Sequence, residues 1–238
     1  MKRPAEVRDR RTQTAHRKMG GFLHQGIARL HDVINVSPLK PKVFAMQVTQ
    51  RDLFPTRVWA FDAPELLEHH ERWAEHIQRW RAETASPSGF SNRMGWNSEK
   101  NVFSLEVFEP LKKLVTAAFL HAFKEMQLRG NLQFQLEAWA NLHDPGGYNT
   151  LHVHPNVLLS GCYYVRAPAG SGAITFRDPR PGVVLTALPG TGVNGRGTAG
   201  IEPAEGRLVV FPHWLDHQVE QHTGTEPRIA IAMNALRA

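Results

Sequence analysis

Hydrophobic positions follow two different periods along this chain, and the change comes near residue 130. Before it, two series of apolar residues recur three or four positions apart, which is the period of one helical face. After it, apolar and polar residues alternate from 132 to 138, which is the period of a half-buried strand. The pattern therefore predicts helices first and strands afterwards.

The first predicted helix begins after Asp62, which we interpret as its N-cap because Glu65 follows three residues later. Its apolar face consists of Leu66, His70, Trp73, Ile77 and Trp80, and a histidine in such a stripe is expected to be structural. The second helix is expected to end at Gly130. Its apolar side consists of Leu111, Leu114, Val115, Ala118, Phe119, Ala122, Phe123 and Met126. Residues 86–99 between the helices are predicted to be a polar connection.

Further strands are predicted between glycine- and proline-rich turns in the rest of the chain. They cover residues 150–154, 157–165, 173–177, about 183–187, 207–211, 217–220 and 227–234. Helices followed by many short strands favour an α+β fold, in which an antiparallel sandwich or barrel is flanked by helices. We expect the stretches 86–100 and 189–200 to form the rims of a pocket, the second as a long glycine-rich loop.

The net positive charge is confined to the first 30 residues. The whole chain has 28 basic and 22 acidic residues, a formal charge of +6. Residues 1–30 contain eight Lys or Arg and two acids, so residues 31–238 carry 20 of each sign and are neutral overall. We therefore expect a basic, flexible arm over 1–30 and a single domain over 31–238, with helical support at about 50–130. Nucleic-acid binding is a minor hypothesis, because only the arm could contact phosphates.

The composition, with 42% hydrophobic and 21% charged residues, is typical of a soluble globular protein. No apolar run approaches the ~20 residues of a transmembrane helix, and none follows the basic N-terminus, so neither a membrane span nor export is expected. The single cysteine, Cys162, excludes an internal disulfide and is typical of a cytoplasmic protein. The sequence does not determine the oligomeric state.

Two histidines, His152 and His154, lie two positions apart in a stretch that we expect to be extended. Side chains at this spacing share one face of a strand, so Leu151 and Val153 are expected to point the other way into hydrophobic packing. Burying two adjacent imidazoles is costly because both ring nitrogens of each need partners, and a metal removes part of that cost. Alone, the motif is a weak indication of a metal site, because exposed histidine pairs also occur by chance.

Arg228 lies on a predicted strand whose other residues on the same face are Ala230, Ala232 and Asn234. The small alanines leave room beside the guanidinium. A buried guanidinium needs an anion, and its planar fork suits a carboxylate. Because no protein carboxylate is evident as its partner, a ligand carboxylate is the attractive candidate. The alternative is an arginine at a strand end with its head in solvent.

Together these pieces resemble the iron(II)- and 2-oxoglutarate-dependent oxygenase superfamily. The order is H-x-H, a strand, G-x-L-x-x-F-P, His217, and R-I-x-I with Arg228 eleven residues after that histidine. The chain is similar in particular to a bacterial and phage branch with the pattern W-x-N…G-x-x-N-x-x-H-x-H-P-N…S-G-x-Y-Y-V. The matching residues are Trp139, Asn141, Gly146, Asn149, His152, His154, Pro155, Asn156, Ser160, Gly161, Tyr163, Tyr164 and Val165. The resemblance covers roughly residue 50 to the end.

The resemblance implies a double-stranded β-helix, or jelly roll, with its core at about 131–238 and helices packed on one sheet. It implies Fe(II) and 2-oxoglutarate as cofactors, with His152 and His217 as metal ligands and Arg228 as the anchor of the cosubstrate. The implied activity is hydroxylation of a C–H bond in a small-molecule or peptide substrate, with release of succinate and carbon dioxide. The resemblance does not indicate which substrate is used.

The metal-binding motif departs from the superfamily pattern, in which H-x-D or H-x-E is usual. We predict a three-histidine face of His152, His154 and His217, with His154 as the third ligand. Asp178 and Asp144 are more distant alternatives, and His154 could instead lie outside the ligand set.

The anchor also departs from the pattern, because the hydroxyl residue often found two positions after the arginine is Ala230 here. We expect Tyr163, Tyr164 or Asn149 to assist in binding the far carboxylate, and Asn234 to face the same site. His143, in the "NLHDPGG" segment, is predicted to be a loop residue.

Two other functions remain open. A cupin-like three-histidine dioxygenase would bind its substrate directly to iron, without 2-oxoglutarate. A non-enzymatic jelly-roll module would hold a redox-inert metal or use the histidines structurally. Binding of 2-oxoglutarate distinguishes the first alternative from a 2-oxoglutarate-dependent oxygenase, because the cupin-like enzyme does not need it. Oxygen consumption distinguishes the second, because a non-enzymatic module consumes none.

Overall fold

The computed structural model describes residues 47–87, 91–128, 132–185 and 195–238. Residues Asp52–Ala238 form one compact unit. The predicted basic arm at 1–30 lies outside the described residues, as does Gly130. Among the helices described, none combines the length and the apolar character that a membrane span requires.

The described strands form one curled antiparallel sheet, as in a jelly roll. They are β1 (Trp59–Asp62), β2 (Asn92–Asn97), β3 (Phe134–His152), β4 (Leu159–Arg166), β5 (Ile174–Arg177), β6 (Thr198–Ile201), β7 (Arg207–Pro212), β8 (His217–Val219) and β9 (Arg228–Arg237). Their order in the sheet is β1-β7-β4-β9-β3-β8-β5-β6, and β2 also pairs with β3. The predicted jelly-roll fold is confirmed.

Strand β3 lies in the middle of this order and joins its two halves. Residues 134–143 pair with β9, whereas Asn149 and His152 pair with β8. The change of partner falls at the "DPGG" segment, where Gly146 has a φ of +91°, a conformation that favours glycine. We predicted a turn between two separate strands here, but the chain continues as one strand that changes its partner.

Two helices cover one face of the sheet. A 3-10 turn at Pro64–His69 leads into α1 (His70–Glu83), and α2 comprises Glu109–Glu125. The prediction that Asp62 caps the first helix is wrong, because Asp62 ends β1 and its carboxylate accepts from Arg207 Nε at 2.8 Å. Pro64, whose fixed φ suits the first helical position, begins the turn instead.

The main hydrophobic core lies between these helices and the sheet. It contains Trp73 of α1, Phe119 of α2 and Tyr163 of β4, all fully buried. The Tyr163 hydroxyl lies 2.9 Å from Nε2 of His70, the stripe histidine for which we predicted a structural role. A second, smaller cluster on the other face of the sheet includes Tyr164 and Phe211. Adjacent tyrosines of β4 therefore serve opposite faces, as the alternation along a strand requires.

Three segments differ from the predictions. Residues 183–185 of the strand predicted at 183–187 belong instead to a short helix, α3 (Pro181–Leu185), which begins at a proline, and residues 186 and 187 lie outside the described part of the chain. Strand β6 lies within the stretch predicted as loop, and β2 lies within the predicted polar connection. Neither strand shows regular alternation of buried and exposed residues, so pairing with β5 and with β3 defines them. The region 50–130 is consequently not only helical.

Candidate metal centre

Three histidines meet at one place on the inner face of the sheet. His152 of β3 and His217 of β8 are directly opposite each other in the antiparallel pairing, and His154 follows two residues after His152. The ring centroids of His152 and His217 are 4.2 Å apart, and both lie 5.1 Å from that of His154. One potential ligand nitrogen from each ring lies within 4.8 Å of the others. Among the described residues no carboxylate belongs to this cluster.

Backbone carbonyls determine which ring nitrogen of two of these histidines keeps its lone pair. Nδ1 of His152 lies 2.7 Å from the Thr150 carbonyl oxygen, and Nδ1 of His217 lies 2.8 Å from that of Leu215. A carbonyl only accepts, so each Nδ1 carries the hydrogen and each Nε2 keeps its lone pair. This arrangement, in which the second nitrogen is held by a carbonyl, is typical of metal-binding histidines.

All three imidazoles have lowered pKa values, and burial is the largest cause in each case. Burial and the neighbouring histidines lower the pKa of His217 to about 3, and burial with His152 and Lys100 nearby lowers that of His154 to about 4. Burial also lowers the pKa of His152, although the Thr150 carbonyl opposes the shift. The rings are therefore neutral at pH 7, which is the form that binds a metal.

His154 is surrounded by a polar network at the cavity wall. Its ring stacks on Trp139, with centroids 5.9 Å apart. Asn234 donates from Nδ2 to Glu137 at 2.7 Å and accepts at Oδ1 from the Ser160 hydroxyl at 2.8 Å. Lys100 also donates to Glu137, at 2.8 Å. Glu137 therefore orients the Asn234 amide beside His154.

The alternative carboxylate ligands are engaged elsewhere. Asp178 accepts from Arg180 at 2.7 and 3.0 Å, and Asp144 accepts from Arg81 at 2.5 and 2.8 Å. Both pairs are partly or fully exposed, and neither aspartate is part of the histidine cluster. The three-histidine set is the one that the structure brings together.

A cavity of about 520 Å³ extends from the three histidines into the curled sheet. The β9 face predicted from the sequence lines it: Arg228, Ala230, Ala232 and Asn234. Asn149 lines it as well, and its amide donates to the Ser91 hydroxyl at 2.9 Å. Leu151, in β3, and Val153, just after it, do not point into hydrophobic packing as predicted, because they remain 43% and 41% exposed.

The rim predictions have different outcomes. Ser91, Arg93, Asn97 and Lys100, from the predicted segment 86–100, line the cavity. Of the segment 189–200, residues 189–194 lie outside the described part of the chain, and 195–200 do not line the cavity.

Arg228 is buried at the inner end of the cavity with most of its hydrogen-bonding capacity unused. Its side chain is 1% exposed, and Nη1 donates to Nδ1 of His143 at 3.2 Å. Nε and Nη2 have no partner in the described structure, and neither has the buried hydroxyl of Tyr164. The Arg228 guanidinium carbon lies 5.2 Å from the centre of the Tyr164 ring. Three unsatisfied donors are therefore gathered at one place, and a carboxylate is the group that could accept from all of them.

The structure separates the two tyrosines that we considered as helpers of Arg228. Tyr164 is on the cavity side of β4, opposite Ala230. Tyr163 is on the helix side and is bonded to His70, so the structure does not bring it to the site. Burial raises the pKa of Tyr164, so its hydroxyl stays protonated and can donate.

Sequence reasoning missed the role of His143 in the site. We predicted a loop residue, but His143 is fully buried on β3, opposite Arg228 in the pairing with β9. The alternation that begins at Leu132 extends to residue 143, so Glu137, Trp139, Asn141 and His143 all share the inner face. Extending that pattern through the "NLHD" segment would have identified it.

Comparisons with known proteins agree with this geometry. Residues 137–234 match the model of a family described as "Putative 2OG-Fe(II) oxygenase". No curated protein matches the chain. Among solved structures, a prolyl-4-hydroxylase from Pseudomonas putida is similar with a TM-score of 0.59 and 16% identity, covering 77% of this chain and 94% of that one.

Two further solved structures have the same fold. HygX from Streptomyces hygroscopicus, with nickel and 2-oxoglutarate bound, has a TM-score of 0.54 and 12% identity, covering 77% of this chain and 84% of that one. SnoN, a non-heme α-ketoglutarate-dependent epimerase from nogalamycin biosynthesis, has a TM-score of 0.56 and 12% identity, covering 77% of each chain. At these identities the likeness establishes the fold.

Proposed function

We propose that this chain belongs to the 2OG-Fe(II) oxygenase superfamily and is an iron(II)- and 2-oxoglutarate-dependent dioxygenase that hydroxylates a C–H bond of its substrate. The match of residues 137–234 to the family model supports the assignment. The observation that carries the proposal is the cavity with three neutral imidazoles at one place and a buried, unsatisfied guanidinium at another. The substrate class is a small molecule or a peptide.

His152, His154 and His217 would hold the iron. Nε2 of His152 and of His217 keeps its lone pair because Nδ1 of each ring donates to a carbonyl. The Ser91 hydroxyl lies 3.3 Å from Nε2 of His152 and would give up that contact to the iron. Three nitrogen ligands on one face would leave the opposite positions for the cosubstrate and oxygen. A neutral triad contributes no negative charge, so the anionic cosubstrate would be the main balance for the positive charge of the iron.

Arg228 and Tyr164 would hold the far carboxylate of 2-oxoglutarate. Nε, Nη2 and the phenolic hydroxyl lack partners in the described structure, and their burial makes unsatisfied donors costly. A ligand carboxylate would remove that cost by accepting from all three. Ala230 and Ala232, on the same face as Arg228, leave space for the chain of the ligand.

The bound iron and 2-oxoglutarate would supply the oxidising chemistry: oxygen converts 2-oxoglutarate to succinate and carbon dioxide, and its second oxygen atom enters a substrate C–H bond as a hydroxyl group. The contribution of the protein is to bind, orient and exclude water. Phe211 packs against His217 with ring centroids 4.5 Å apart and adds an apolar surface beside the metal site. Ser91, Asn97 and Asn149 line the cavity and offer polar contacts to a substrate.

The central test is iron-dependent conversion of 2-oxoglutarate to succinate, with iron content measured in His152→Ala, His154→Ala and His217→Ala. We expect each variant to lose most of its iron and its turnover. Full iron retention in His154→Ala would remove that residue from the ligand set. Failure of the wild type to bind 2-oxoglutarate, with no turnover across candidate substrates, would refute the proposal.

The lack of a carboxylate in the described ligand cluster favours one second candidate. A cupin-like three-histidine dioxygenase would bind its substrate directly to iron, and Arg228 would then hold a carboxylate of that substrate. Calorimetric titration of the nickel-loaded protein with 2-oxoglutarate distinguishes the two, because only the first function requires binding.

The type of oxidation needs its own measurement, since one protein of similar fold is an epimerase. A hydroxylated product gains one oxygen atom, whereas an epimerised product keeps its mass. Mass spectrometry of the product under isotopically labelled oxygen therefore tests hydroxylation directly. Succinate formation together with an unlabelled product of unchanged mass would contradict hydroxylation and indicate a different oxidation.

A further inference from the structure

The partner of Arg228 is unusual for a buried arginine. Buried guanidinium groups are normally paired with carboxylates, because an unpaired buried charge is costly. The described structure gives Arg228 a hydrogen bond with His143 and no carboxylate. Both side chains are essentially inaccessible, at 1% and 0% exposure.

His143 cannot easily turn away from this contact. A Cβ placed on Gly95 of the neighbouring β2 would lie 2.6 Å from Cδ2 of the His143 ring, so the ring occupies the space that Gly95 leaves. On its other side it faces Arg228 across the β3–β9 pairing. These neighbours confine the imidazole to the space between Gly95 and Arg228.

The hydrogen-bond chemistry determines the protonation of the ring. Arginine only donates, so Nδ1 of His143 accepts from Nη1 and the hydrogen resides on Nε2. Burial, followed by Arg228 and His222, lowers the pKa of His143 to about 3, although Asp144 opposes the shift. At neutral pH the ring is uncharged.

We infer that His143 is a positioning residue that orients the Arg228 guanidinium for the cosubstrate carboxylate while leaving its positive charge unneutralised. The contact uses Nη1 and leaves Nε and Nη2, which form one edge of the guanidinium and suit a bidentate carboxylate. A carboxylate at position 143 would instead compete for these donors and cancel the charge. This inference rests on the proposed function.

The matched variants are His143→Asn, His143→Asp and His143→Leu. Asparagine places an acceptor oxygen near the position of Nδ1. Aspartate has the same size but carries a negative charge and a second acceptor oxygen in place of the amide NH2, and leucine has no acceptor. The probe is 2-oxoglutarate, titrated by calorimetry into nickel-loaded protein, in which no turnover occurs. KM and kcat with iron are measured in parallel.

We expect His143→Leu to weaken 2-oxoglutarate binding about tenfold, the effect of losing one hydrogen bond to a charged group, and His143→Asn to stay within about threefold of wild type. His143→Asp should bind more weakly than His143→Leu, because it neutralises the anchor. The change should appear in the KM for 2-oxoglutarate, with nickel affinity and with kcat at saturating cosubstrate little altered.

Wild-type affinity in His143→Leu, or equal affinities in the Asn and Asp variants, would overturn the inference. If the leucine variant does not fold, the comparison of Asn with Asp decides alone, because these side chains have the same size. Absence of 2-oxoglutarate binding to the wild type would overturn the proposed function and this inference with it, whereas unchanged binding in the variants overturns this inference only.

Discussion

At the scale of single residues, two adjacent tyrosines test whether one face of β4 stabilises the core and the other contributes to the candidate site. Tyr164 has an unsatisfied buried hydroxyl beside Arg228, whereas the hydroxyl of Tyr163 is satisfied by His70. Removing an unsatisfied buried hydroxyl is neutral or stabilising, but removing a satisfied one leaves its partner unpaired. The same substitution should therefore have opposite consequences at neighbouring positions.

We expect Tyr164→Phe to keep or slightly raise the melting temperature of the ligand-free protein and to weaken 2-oxoglutarate binding several-fold. Its matched control, Tyr163→Phe, should lower the free energy of unfolding by roughly 1–2 kcal/mol and leave 2-oxoglutarate affinity unchanged. Calorimetry and urea denaturation measure both quantities. Loss of cosubstrate affinity in Tyr163→Phe, without loss in Tyr164→Phe, would contradict the assignment.

The buried histidines also predict how the metal-free protein responds to acid. The pKa values of His143, His154 and His217 are lowered to about 3, 4 and 3, below the ordinary value of 6.5 that applies after unfolding. Below pH 6.5 the unfolded chain binds protons that the folded chain does not, so acid favours unfolding. The stability from these groups is complete above pH 6.5 and is lost as the pH falls towards 4 and 3.

Each such histidine should add a slope of up to about 1.4 kcal/mol per pH unit to the free energy of unfolding in this window. Urea denaturation of the metal-free protein at pH 7.5, 6 and 5 measures the slope. His143→Asn should reduce it, because one lowered pKa is removed. A free energy of unfolding that does not change between pH 7 and 5 would mean that these rings are not buried as neutral groups.

At the scale of elements, the contact between helix α2 and the sheet depends on a glycine in β4. A Cβ on Gly161 would lie 2.9 Å from Met233 Sδ, 3.1 Å from the Val209 carbonyl oxygen and 3.4 Å from Phe119 of α2. The helix and the sheet therefore pack at a distance that leaves little space for a side chain at this position. Helix α3 provides the contrast, since a Cβ on Gly182 would have no atom of the described neighbouring residues within 4 Å.

Gly161→Ala should lower the free energy of unfolding by roughly 1–3 kcal/mol, because the core has to shift around an added methyl group. Gly182→Ala is the matched control and should leave stability unchanged or raise it by up to about 1 kcal/mol, as expected for glycine replaced in an exposed helix. Thermal and urea denaturation of both variants measure this. Equal stabilities would show that the interface between α2 and the sheet is less tightly packed than described.

At the scale of the whole molecule, the main core and the candidate metal site lie on opposite faces of the sheet. Ile229, Ile231 and Met233 of β9 belong to the core against the helices, whereas Arg228, Ala230 and Ala232 of the same strand line the cavity with the three histidines. Removal of metal should therefore leave the protein folded, in contrast to small metal-stabilised domains.

We expect iron-free protein to unfold cooperatively and to gain stability in two steps, first with Ni(II) and then with 2-oxoglutarate. A ligand at one hundred times its dissociation constant adds about 2.7 kcal/mol to the free energy of unfolding. The step for 2-oxoglutarate should be larger in the presence of metal, because the metal and Arg228 would then hold the same molecule. Equal stabilisation with and without metal would argue against a shared site.

Much of the fold could be predicted because hydrophobic periodicity directly reports which face of a long element is buried. The faces of α1, α2 and β9 follow from it, and the resemblance indicated the jelly roll. Periodicity failed where pairing alone creates the strand, as in β2 and β6, and where a strand continues through turn-forming residues, as at "DPGG" in β3. Short segments of this kind have no pattern of their own.

For the candidate site, the sequence by itself determined which residue types were available: an H-x-H pair, a later histidine and an arginine with alanines on its face. Only the tertiary structure decided which of them meet, because strand register sets His152 opposite His217 and His143 opposite Arg228. It also separated Tyr164 from Tyr163, since successive side chains of β4 point to opposite faces. Spacing along a chain gives the direction of a side chain relative to its own strand, but contacts between strands distant in sequence arise from the packing of the whole sheet.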